Sequence, residues 1–208
     1  LSMTQDTDKV AAVLSHPWAN PAPAGLGGLV VACFMFWAML TGQVGEGHKL
    51  ALGIWLLGAM VVQLAAGFIE LRNGILTGGN LMLFFGAFFC VVGGCGNIAT
   101  GILEATGSAY RLDPVIQGWG WVAATLFIFA LLPCYVKANK VFFFVVIIAG
   151  VAVGMIAYMD ITKTHDIASL AGWLLMLVGI GSLLNIAAAV INPTFGREII
   201  KLGKPFVE

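Results

Sequence analysis

Residues 20–41 read NPAPAGLGGLVVACFMFWAMLT, and this stretch decides the fold. From Gly25 to Thr41 no charged residue interrupts a run close to the roughly 20 residues that cross a bilayer as a helix. Proline has no N–H to lose at a helix start, and its fixed φ suits the first turn, so Pro21 and Pro23 begin a helix rather than break one. Asn20 stands where a capping side chain is wanted. The glycines that follow let neighbouring backbones approach. The free N–H groups of such a turn, at the positive end of the helix dipole, suit a carboxylate; the same residues also suit a capped, tightly packed helix start that binds nothing.

Working outward, five more apolar segments follow, at 50–71, 76–99, 115–135, 141–159 and 168–191, joined by polar or turn-forming connections such as QVGEGHK, EATGSAYRLDP and DITKTHD. With 60% hydrophobic and 10% charged residues, the chain reads as an all-α integral membrane protein of six transmembrane helices. We expect a polar segment at 1–19, a membrane domain at 20–192 and a C-terminal tail at 193–208. Leu1-Ser2 ahead of Met3 reads as the remnant of a cleaved tag. The zero net charge lacks the basic stripe of a nucleic-acid binder.

Six spans put both ends of the chain on one side. Lys9, Arg72, Lys137, Lys140, Arg197, Lys201 and Lys204 fall there, against Lys49, Arg111 and Lys163 on the other. That excess of basic residues predicts cytoplasmic termini in a plasma or inner membrane.

The spans also echo one another. QLAAGFIE at 63–70 and NIAAAVIN at 185–192 each place an amide, a small residue and a polar residue at i, i+4 and i+7, one helical face: Gln63, Gly67 and Glu70 against Asn185, Ala189 and Asn192. Glycine stands near tryptophan at the outer ends of the even helices, in Gly53-Ile-Trp55, Gly118-Trp119 and Gly172-Trp173. The pattern predicts three helical hairpins; for the tryptophans an interfacial aromatic belt is the alternative.

Polar groups inside spans are costly unless paired or facing a water path. Helix N-termini and the amides Asn20, Gln63, Asn80 and Asn185 can donate to a carboxylate, while apolar residues take a methyl group. Interhelical hydrogen bonding is the competing role for each amide. Glu70 lies within a span beside Arg72, in a position that fits a proton relay or a structural ion pair. Cys33, Cys90, Cys95 and Cys134 lack metal or redox spacing and suit apolar packing. His165 with Asp160 and Asp166 could sense pH or bind a metal on the outer face, but a solvated loop fits them better. No nucleophile elbow, paired catalytic carboxylates or phosphate loop is present, so neither an enzyme nor a cofactor is expected. Gly150 and Gly154 form a GxxxG that packs helix five closely, within a protomer or between protomers.

NPAPAGL at 20–26 resembles the NPAPLGL signature of the acetate uptake transporter family, the bacterial succinate-acetate permeases and their fungal relatives. The likeness runs on through Gln63, Gly67 and Glu70, Gly74 and Gly78, and the closing FGR at 195–197. Ala24 departs from the usual leucine, and Gly74-Ile75 stands where many relatives have glycine-asparagine followed by threonine. The resemblance implies a six-helix protomer of a ring-shaped homohexamer, with a path for acetate and related small carboxylates, succinate among them, in each protomer. It also implies a constriction at Leu29, Phe85 and Ala149, positions where relatives often carry phenylalanine, tyrosine and leucine. The neck should then be wider and more apolar. Channel and proton symport both fit. The alternatives are a conduit for neutral molecules such as urea, amides or ammonia, and a structural or sensory protein with a closed core.

Overall fold

The computed structural model describes residues 18–207. Residues 1–17 of the polar N-terminal segment, with Leu1-Ser2, Lys9 and His16, and Glu208 lie outside the described residues. Among the described residues six helices are long and apolar enough to cross a membrane: α1 Ala22–Leu40, α2 His48–Arg72, α3 Leu76–Ala105, α4 Pro114–Lys137, α5 Lys140–Thr162 and α6 Ala168–Thr194. The expected spans are all present, with α3 longer than its apolar run suggested. The salt bridge between Lys49 at the start of α2 and Glu104 at the end of α3, 2.6 Å, ties together two helix ends on the face opposite the termini.

The helices stand in one ring, in chain order, around a central space. Their pairing differs from the expected three hairpins by one helix. The tightest neighbours are α2 with α3, α4 with α5, and α6 with α1; α3 and α4 meet through aromatic side chains, with Phe84 stacked on Phe127 at 4.1 Å between ring centres. The cause lies in the glycines that precede tryptophan. Gly53 packs on the backbone of Gly94 and on Ile98 of α3, Gly118 packs on Asp160 and Ile161 of α5, and Gly172 packs on Leu40 and Thr41 of α1. Each even helix thus presses its glycine against the next odd helix round the ring. Trp55, Trp119 and Trp173 turn outward and are exposed, as an interfacial belt requires. Gly150 and Gly154 face Phe129 and Thr125 of α4, so the GxxxG is spent inside the protomer.

Two helices depart from regular winding. Phe85–Val92 in α3 is a π-helical stretch, a form that recurs at functional sites. The last turns of α4, Leu132–Lys137, tighten to a 3₁₀-helix at Pro133, which has no N–H to donate.

Candidate functional site

A cavity of about 410 Å³ enters the ring from the face that carries the termini, and all six helices contribute to its wall. Leu29, Gln63, Phe85, Ile128 and Ala149 form its inner end, each roughly 10–14 Å from that face at 1.5 Å per helical residue. That is close to half of a hydrocarbon core about 30 Å thick. Beyond this level the ring is filled: Phe89 packs on Phe36 at 5.2 Å and on Trp121 at 5.5 Å, among buried Leu52, Leu56, Ile156 and Val178.

Among the described residues the wall is apolar except for five side chains. Gln63, only 3% exposed, accepts a hydrogen bond from the Cys90 thiol at 3.3 Å through its Oε1. Asn139 caps α5, its Oδ1 accepting from the Phe142 N–H at 2.9 Å, and its Nδ2 donates to Asn185 Oδ1 at 2.8 Å. Asn185 in turn donates to the Gly181 carbonyl. Glu70, 3% exposed, and Tyr135 each carry a buried oxygen with no hydrogen-bond partner among the described residues. Polar atoms left unpaired in a cavity wall mark where water or a bound polar group belongs. The Glu70 carboxylate lies against Gly78, where a Cβ would overlap it. Of the two roles open to Glu70, the ion pair with Arg72 is not formed; the Arg72 guanidinium lies over the Trp18 ring, 4.9 Å from its centre.

The structure thus gathers Leu29, Gln63, Glu70, Phe85, Ala149 and Asn185 round one cavity and leaves four other candidates outside its wall. Asn80 is exposed on the outside of the ring and donates to the Leu76 carbonyl at 2.8 Å. Asn20, Pro21 and Pro23 start α1 beside the mouth, where Ala22 reaches the wall. The open N–H groups expected there are absent. Pro21 and Pro23 have none, the Ala22 N–H is taken by Asn20 Oδ1 at 3.0 Å, and the Ala24 and Gly25 N–H groups go to the Pro21 carbonyl. The turn is a closed cap. Cys33 and Cys90 are buried as expected, but Cys95 and Cys134 face outward. Among the described residues no cluster of His, Cys, Asp or Glu could hold a metal ion.

Sequence reasoning missed Tyr135, Asn139 and Leu202, all in the cavity wall. Asn139 had a signal, since an asparagine directly ahead of an apolar run is a cap pattern. Tyr135 and Leu202 had none, because only the closing of the ring and the return of the tail bring them to the cavity.

Residues 3–199 match the family model described as GPR1/FUN34/yaaH family. Among solved structures, that of the bacterial acetate channel SatP matches with a TM-score of 0.76 and 24% sequence identity, covering 89% of this chain and 99% of that one. At that identity the likeness is one of fold. No curated protein matches the chain.

Proposed function

The chain belongs to the GPR1/FUN34/yaaH family, and from that premise we propose that it carries acetate and related small carboxylates across a membrane through the cavity of each protomer. The observation that carries this reading is the make-up of the cavity wall, which among the described residues is apolar with a few amide, hydroxyl and carboxyl groups and without lysine or arginine. A small amphiphilic acid fits such a wall, since its alkyl end loses water at little cost and its oxygens need only a few donors. Gln63 is the deepest donor. Its NH₂ meets the carboxylate next to Leu29, Phe85 and Ala149, which take the alkyl end, while Asn185 and Asn139 serve nearer the mouth. Asn20, Pro21 and Pro23 shape that mouth rather than bind, and Asn80 serves the outside of the ring.

Passage requires the packed layer of Phe36, Phe89 and Trp121 to open, so the cavity wall belongs to a conduit closed at its outer half. Glu70 faces the cavity and is the group to exchange a proton with it. The same reading places the protomer in a homohexamer within a plasma or inner membrane, its termini in the cytoplasm. The name of the SatP structure, an acetate channel, supports a channel over a symporter. Uptake of labelled acetate into proteoliposomes, with the pH gradient and the voltage imposed independently, tests the reading. Acetate-dependent flux that follows voltage supports a channel, flux driven by the pH gradient and lost in Glu70→Gln supports proton coupling, and no flux under either overturns carboxylate transport.

A further inference from the structure

After α6 the chain reverses and runs back over the mouth of the cavity. It is tied down at three helix ends. Asn192 of α6 works as a clamp on the backbone seven and eight residues ahead: its Oδ1 accepts from the Ile199 and Ile200 N–H groups, and its Nδ2 donates to the Ile200 carbonyl, all at 2.9 Å. The Leu202 carbonyl then accepts from the Val141 N–H at the start of α5, at 3.2 Å. Gly203, with φ +80, turns the chain past the Lys140 side chain, a conformation that favours glycine. At the far end the Phe206 and Val207 N–H groups reach the Val136 carbonyl of α4 at 3.0 and 3.3 Å. The Phe206 ring lies against Phe143 at 5.0 Å and under the Lys140 ammonium at 5.3 Å.

The segment therefore crosses from α6 over α5 to α4, the helices that carry Asn185, Asn139 and Tyr135. Most of its residues are exposed, and Leu202 is its one member in the cavity wall. Closing the N-terminus of α5 would need the Leu202 carbonyl and nothing more. Here a large apolar side chain is also set into the mouth, and a clamp and an aromatic anchor hold its two sides.

We propose that residues 199–207 form a strap that latches across the mouth of the cavity, with Leu202 as the plug and Asn192 and Phe206 as the latches, and that substrate passes when the strap lifts. This rests on the proposed transport function for its consequence, though not for its geometry. A segment held by a few hydrogen bonds at an exposed surface opens locally at low cost, without disturbing the helices beneath. Losing one net hydrogen bond shifts such a two-state balance roughly fivefold.

Two measurements on the full-length protein in proteoliposomes test the strap. The first reports access without any transport: a reporter cysteine at Ala189, in the cavity wall, with the exposed Cys95 and Cys134 replaced by serine, is labelled by a charged methanethiosulfonate. Leu202→Ala, Phe206→Ala and Asn192→Ala should each label faster, by about fivefold or more for the clamp variant, and Leu202→Trp should label more slowly. The second is labelled-acetate flux per folded protein, which should rise in the same three variants. Labelling rates in Leu202→Ala and Phe206→Ala equal to the parent would overturn the strap, whatever Asn192→Ala does to folding. Faster labelling with flux unchanged would overturn its role as a gate. A parent that carries no acetate would instead overturn the transport reading and leave the labelling comparison standing.

Discussion

The two halves of the ring are built from the same six helices and hold opposite interiors. Toward the termini, small residues such as Ala22, Gly25, Gly78, Ala149, Ala188 and Ala189 hold the helices around a cavity into which Gln63, Glu70, Tyr135, Asn139 and Asn185 project. Toward the opposite face, Phe89 meets Trp121 edge to face and Phe36 at a tilt, and the three rings fill the same axis with aromatic carbon. Backbone spacing alone does not make the difference, since glycine contacts draw the helices together in both halves, at Gly67 with Gly79 and at Gly53 with Gly94. What differs is the side chain that points at the axis. A ring of helices is a solid core or a vestibule according to a single layer of inward residues, and here the change falls between Phe85 and Phe89, inside the π-helical stretch of α3.

The sharpest way to break this contrast is to remove the packing of the closed half. Phe89→Ala should cost about 3–5 kcal/mol, as truncation of a fully packed aromatic does, read as a fall in the thermal unfolding midpoint in detergent. An unchanged midpoint would mean that the closed half is not a packed core. Gln63→Leu acts on the open half and should leave the midpoint nearly unmoved. It should weaken acetate affinity by an amount typical of a lost hydrogen bond to a charged group, about 1.5–3 kcal/mol or tenfold and more. Saturation curves of acetate flux read this directly, and wild-type affinity in the variant would remove Gln63 from the path.

Phe85→Ala sits at the boundary and should do a little of both. The midpoint should fall less than in Phe89→Ala, and the flux of four- and five-carbon acids relative to acetate should rise about tenfold, the size of effect a methylene or two makes in an apolar pocket. Competition between acids of increasing length measures it; an unaltered order of preference would place the neck elsewhere. The smallest effect belongs to Asn20→Ala. Its side chain closes the first turn of α1 on the Ala22 N–H, so the loss should be about 1 kcal/mol of helix stability with acetate flux per assembled protein unchanged. A clear drop in that specific flux would restore the turn as a carboxylate port.

Much of the fold was legible because the bilayer imposes a one-dimensional rule: a segment that satisfies its own backbone and is apolar for about 20 residues spans. The echo of Gln63 in Asn185 was legible for the same reason, since i, i+4, i+7 spacing puts polar residues on one helical face whatever lies opposite, and both residues do reach the cavity. The face that a lone amide presents was not legible. Asn80 has the composition of a cavity donor, yet it sits on the outside bonded to its own helix, because the rotation of α3 is set by Gly67 and Gly79 meeting across the α2–α3 contact.

By itself the sequence determined the number of spans, their approximate places in the chain, the side that carries the basic residues and the few polar groups a membrane interior would tolerate. These follow from local chemistry, from helix propensity, transfer energy and charge. Only the tertiary structure decided that the tight pairs run α2–α3, α4–α5 and α6–α1, that the prolines close a turn rather than open it, and that Tyr135, Asn139 and Leu202 share a cavity with Gln63. Each of these depends on which side chains meet across helices distant in the chain. Such meetings are chosen by shape and by the need to pair buried polar atoms, which act between segments and leave no periodic trace within any one of them.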